Sequence, residues 1–73
     1  MKNTWEELAN AVVLQAVKDW RDSVKKLGRN KNLYKAQDMK DECERFFRSP
    51  EFNIFTALDG NMVLMKLKRE AAA

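Results

Sequence analysis

At 73 residues, with 45% hydrophobic and 34% charged side chains, two glycines and one proline, the chain has the balance of one small folding domain, far from a disordered segment. It has no histidine and a single cysteine, Cys43, which excludes a disulfide framework, a zinc site, and Ser-His or Cys-His catalysis. A net charge of +3 is below the density of a dedicated nucleic-acid binder.

A first helix is predicted over residues 5 to 27. Thr4-Trp5-Glu6-Glu7 has the spacing of a capping box, and Leu27-Gly28 offers a left-handed glycine close, with Lys25 and Lys26 against the dipole. At about 100° per residue, Trp5, Leu8, Ala9, Val12, Val13, Ala16, Val17, Trp20, Val24 and Leu27 form one broad core stripe. Ala11 and Leu14 fall outside it, so residues 11 to 17 are apolar nearly all round, more than a small monomer can bury. The surplus marks Ala11 and Leu14 as a self-association surface, and Trp5, on the stripe but with an indole that needs a polar partner, belongs at a core rim or at that same interface. Extra burial is what a domain this small needs, since one core of this size gives a net stability of only about 3–5 kcal/mol.

Arg29 to Asn32 read as a polar turn with Asn32 as N-cap of a second helix running to about Arg48. Leu33, Ala36, Met39, Cys43, Phe46 and Phe47 give that helix its apolar face. Asp41 with Arg45 and Glu44 with Arg48 have the four-residue spacing of exposed helical ion pairs. Ser49-Pro50-Glu51 ends it and starts a third, short helix, with Ser49 as N-cap and Pro50 at the first helical position. Phe52, Phe55 and Leu58 point inward from there, with Ile54 near the boundary. Asp59-Gly60 breaks that helix, and Asp59 caps a last one through Met62, Val63, Leu64, Met65 and Leu67 to Arg69, with Ala71 to Ala73 frayed. The alternative for this last segment, an edge strand, has no partner strand in the chain. The expected architecture is all-α, a single domain over 1–73, a compact bundle of three to four helices that is homo-oligomeric.

Little catalytic chemistry is present. Gly28 and Gly60 are isolated turn residues, so no phosphate loop exists. Neighbouring carboxylates such as Glu6 and Glu7 point in different directions from a helix, and Cys43 sits on an apolar face where a thiol is inert. The chain reads as a non-enzyme with no cofactor and no metal. Met39, Met62 and Met65 read as core filler. Lys25, Lys26, Arg29, Lys31 and Lys35 occur with no acid between them, which is either a solvated turn or a local anion site. Were a phosphate or nucleotide bound, Tyr34 with Lys31 and Lys35, and Arg45 with Arg48 beside the paired phenylalanines, would be the residues to hold it. The N-terminus has no apolar signal core, no run approaches about 18 apolar residues, and the lone cysteine fits a reducing compartment, so the cytoplasm of a cell is the expected location, with no membrane partner.

Ala11-Val12-Val13-Leu14-Gln15-Ala16-Val17-Lys18-Asp19-Trp20-Arg21, Glu44-Arg45-Phe46-Phe47-Arg48-Ser49, and Leu58-Asp59-Gly60 with the basic amphipathic tail after it resemble a group of small phage- and prophage-encoded proteins of Gram-positive bacteria. The resemblance runs from about Leu8 to Arg69. Where that group tends to carry Tyr at the position of Trp20 and an aromatic near Phe52, this chain keeps aromatic character, which implies preserved packing. The resemblance implies a viral protein that works by binding. It would inhibit a host defence system, occluding a protein effector such as a CRISPR nuclease or sequestering a nucleotide signal in an oligomer. The alternative is a nucleic-acid-binding accessory of phage replication or transcription control. The small charge and the lack of a helix-turn-helix pattern favour inhibition.

Overall fold

Thr4 begins the first helix as its spacing requires. Its hydroxyl accepts from the Glu7 amide at 3.2 Å, and the Glu7 carboxylate accepts from the Thr4 amide at 3.3 Å. The computed structural model describes residues 4–72 and contains, among them, four helices and no strand: α1 (Trp5–Arg29), α2 (Tyr34–Arg48), α3 (Phe52–Phe55) and α4 (Gly60–Ala72). The expectations placed on Met1-Lys2-Asn3 and on Ala73 lie outside the described residues. The last segment is helical and continues past Arg69 to Ala72 rather than fraying at Ala71.

Three of the expected boundaries move. Gly28 takes no left-handed conformation. The hydrogen-bond ladder runs through it to the Asn30 amide, which donates to the Lys26 carbonyl at 3.0 Å, and Arg29 adds a further cation to the last turn. Asn32 is not the cap of α2. The turn is closed by Asn30, whose side-chain oxygen takes the Asn32 amide at 2.9 Å, and Leu33 occupies the cap position with no side-chain bond. Ser49 turns back to close α2, its hydroxyl donating to the Phe46 carbonyl at 2.9 Å. With Ser49 so engaged, α3 starts without a side-chain cap and lasts one turn. Asp59 does act as expected, accepting the Asn61 amide at 2.9 Å on its side chain and the Val63 amide at 3.0 Å on its carbonyl.

α1 and α2 form the most extensive helix pair, and α3 and α4 each touch both members of it. The core joins Val13 and Trp20 of α1, Cys43 and Phe47 of α2, Phe52 of α3, and Leu64 and Leu67 of α4. Phe47 and Phe52 are its most buried large side chains, with ring centroids 5.7 Å apart in an edge-on arrangement, and Phe46 meets Phe52 at 5.5 Å. The corner at Ser49-Pro50-Glu51 makes this possible, because it folds the second pair of phenylalanines back onto the first. Gly60 allows a close approach of the α4 start to the end of α2. A methyl group there would collide with the Phe47 carbonyl oxygen and press on the Phe52 ring at 3.0 Å, so Gly60 is a packing residue as well as a helix start.

The apolar stripe of α1 is wider than its cover. Ala9, Val13 and Trp20 are buried, but Leu8 is 56% exposed, and Val12 and Trp5 are exposed as well. The 25 residues of α1 extend about 37 Å, whereas α2, α3 and α4 have 15, 4 and 13 residues, so part of the stripe outruns its neighbours. Met39, Met62, Met65 and Leu58 are likewise exposed rather than core filler.

Candidate binding groove between the first two helices

The uncovered stripe has a shape. On the side of the α1–α2 pair that α3 and α4 do not reach lies a groove of about 610 Å³, lined by residues of α1 and α2 alone. Leu8, Val12, Met39 and Phe46 supply its hydrocarbon walls, and Ala11 and Ala16 keep its floor low. Cys43 lies in the floor, almost fully buried, with its thiol pKa pushed up by burial first and then by the negative charges of Asp19, Glu42 and Glu44. The polar edge consists of Gln15, Asp19 and Glu42, and no lysine or arginine lines the groove. Asp19 accepts from the Gln15 amide at 2.9 Å; among the described residues neither Asp19 nor Glu42 pairs with a cation.

Behind the groove sits an ionic centre. Glu44 is buried and accepts from the Trp20 indole N–H at 3.1 Å and from Lys40 at 2.9 Å, with Arg48 at 3.7 Å and Lys68 at 3.8 Å. Burial alone would raise its pKa. The hydrogen bonds from Lys40 and Trp20 and the charges of Lys40 and Lys68 outweigh burial and hold the carboxyl below its ordinary value. Because Trp20 belongs to α1 and Lys68 to α4, this carboxylate ties three helices together. Close by, the buried Ser23 hydroxyl donates to the Trp20 carbonyl at 2.7 Å.

The residues picked out for anion binding are not brought together. Tyr34, 75% exposed, stands with Lys31 and Lys35 at the start of α2, and Arg45 and Arg48 stand at its end. Tyr34 and Arg45 are thus about 16 Å apart along the helix axis. Lys35 shares its cleft with Lys26 but also with Asp19 and Asp22, and Arg45 lies among Glu42 and Glu51. Arg48 leans on Glu44 as its spacing predicts, whereas Asp41 takes a hydrogen bond from Gln37 at 2.9 Å in place of Arg45. Phe47 is buried, and Phe46 packs on Phe47, Phe52 and Phe55 with its remaining surface turned to the groove and to the cleft beside Arg45.

The expected self-association residues are also divided. Leu14 is 66% exposed and lies roughly 120° around α1 from Leu8. Ala11 sits between that position and the groove, which it lines, while Trp5 stacks on Phe55 with ring centroids 5.9 Å apart. No group of three or more Cys, Asp or Glu among the described residues could hold a metal ion, and no described helix is long and apolar enough to cross a membrane.

No protein-family model, curated protein or solved structure matches this chain.

Sequence reasoning missed the groove's location, Glu44 and Gly60. The surplus of apolar residues on the first helix was a usable signal for the groove, but helical periodicity counts Leu8 and Val12 as core because it cannot show where a neighbouring helix stops. Glu44 had a weaker signal: it is adjacent to Cys43 and three residues from Phe47, on the flank of the buried face.

Proposed function

We propose that this chain is a non-catalytic binding protein that acts by occupying a partner protein through the α1–α2 groove, as a small phage-type inhibitor of a host defence system. The observation that carries the proposal is the groove's lining: hydrocarbon walls edged by two carboxylates, with no lysine or arginine among the lining residues. Such a surface suits the side chains of another protein and repels phosphate, which argues for occlusion of an effector over sequestration of a nucleotide or contact with nucleic acid. The host-defence role rests on the resemblance to small phage proteins. Self-association through α1 belongs to the same proposal. It would use Leu14 and leave the groove open on another side of the helix.

The test is phage plating on a bacterial host that carries a nuclease-based defence and expresses the chain. Plating should rise with the wild-type protein and fall back with Val12→Asp, whose exposed position lets the domain keep its helical circular dichroism. Equal plating with and without the chain across a panel of nuclease defences would overturn the proposal, as would full activity of Val12→Asp. Native mass spectrometry of the purified protein addresses the other reading, since retained mass in the range of a nucleotide would favour sequestration.

A further inference from the structure

A groove between two helices is a natural seat for a third. The span from Leu8 to Asp19 along α1 is about 16 Å, or three helical turns, long enough to accept an apolar stripe at i, i+3 or i+4, and i+7. Ala11 and Ala16 in the floor let a helix backbone come close.

The groove's charges select among helices. Its polar edge carries two acids, Asp19 and Glu42, and no lysine or arginine; the nearest cations, Lys26 and Lys35 beside Asp19 and Arg45 beside Glu42, lie in neighbouring clefts outside it. A wholly apolar or acidic occupant would strip water from these carboxylates without replacing its hydrogen bonds, which is unfavourable. A helix with lysines or arginines beside its apolar stripe would satisfy them. A second copy laid groove to groove is a poor occupant, because the lining carries no lysine or arginine and the contact would enclose four carboxylates with no counter-ion.

We propose that the groove receives a basic amphipathic helix of a partner protein, its apolar stripe seated on Leu8, Val12, Met39 and Phe46 and its cations on Asp19 and Glu42. This deepens, and rests on, the assignment of the groove as the working surface.

The probe is a fluorescently labelled helical peptide with leucines at i, i+3, i+7 and lysines flanking them, compared by anisotropy with the same peptide carrying glutamates in place of the lysines. The lysine peptide should bind roughly tenfold or more tightly, with the difference shrinking as salt is raised. Asp19→Lys with Glu42→Lys should reverse the preference while leaving the circular dichroism spectrum unchanged. Equal binding of the two peptides, tighter binding of the glutamate peptide, or no binding of the lysine peptide would each overturn this inference. Rescue of plating without lysine-peptide binding would sink the partner chemistry alone, and lysine-peptide binding without rescue would sink the host-defence role alone.

Discussion

Replacing Glu44 by methionine keeps most of the side-chain volume and removes the acceptor for the Trp20 indole, which is 2% exposed. A buried donor left without a partner costs about 1–3 kcal/mol. Lys40, Arg48 and Lys68 add less, because each keeps access to water and can rehydrate when the carboxylate is gone. Against an expected net stability of about 3–5 kcal/mol, Glu44→Met should remove a large share, lowering the melting temperature by about 4–8 °C per kcal/mol in a domain of this size. Trp20→Phe removes the donor instead. If the indole–carboxylate bond is the source of the loss, the double variant should recover about 1–3 kcal/mol relative to the sum of the singles. Urea denaturation followed by far-UV circular dichroism measures all three variants. A Glu44→Met midpoint equal to that of the wild type, or additivity of the pair within about 0.5 kcal/mol, would refute the assignment of Glu44 as the tie between helices.

Glu44 also sets a pH dependence. Its folded-state pKa lies below the ordinary glutamate value, so its contribution is complete above that value and is lost as pH falls through the folded-state value. Acid should therefore lower the urea midpoint of the wild type more steeply than that of Glu44→Gln, and parallel curves would contradict this. The two glycines should respond to alanine with opposite signs. Gly60→Ala forces a methyl group into the Phe47 carbonyl and should cost about 1–3 kcal/mol, whereas Gly28→Ala, in helical backbone with nothing near the new methyl, should gain about 0.5–1 kcal/mol. Thermal melts of the two variants decide. Leu14→Asp should reduce the solution mass measured by light scattering with little change in helix content, and an unchanged mass would remove Leu14 from the self-association surface.

Most of the fold was legible in the sequence because its signals are local. The capping box at Thr4, the stop at Pro50 and the cap at Asp59 act within one turn of chain, and they set helix ends regardless of what packs nearby. The errors came where a second group competes for a residue: Asn30 took the turn expected of Asn32, and Ser49 bonded backward to Phe46 rather than forward into α3. The candidate site was harder to read because its parts depend on lateral placement. Residues 20 and 44 have no periodic relation, so no spacing rule foretells an indole beside a carboxylate. Leu8 and Leu14 are equally apolar, and which of them edges a groove depends on where α2 comes to rest. The residues read for anion binding fall into two groups at opposite ends of α2, Tyr34 and Lys35 with Lys31 in the turn before it, and Arg45 with Arg48 at its close.

The position of Cys43 gives this fold a built-in gauge. The chain's one thiol lies in the groove floor, almost fully buried, so a maleimide or disulfide reagent meets it through the groove. Its labelling rate therefore reports how open the groove is, with no probe to be introduced. A helix seated in the groove should slow that labelling, and a second copy bound over Leu14 should leave it alone.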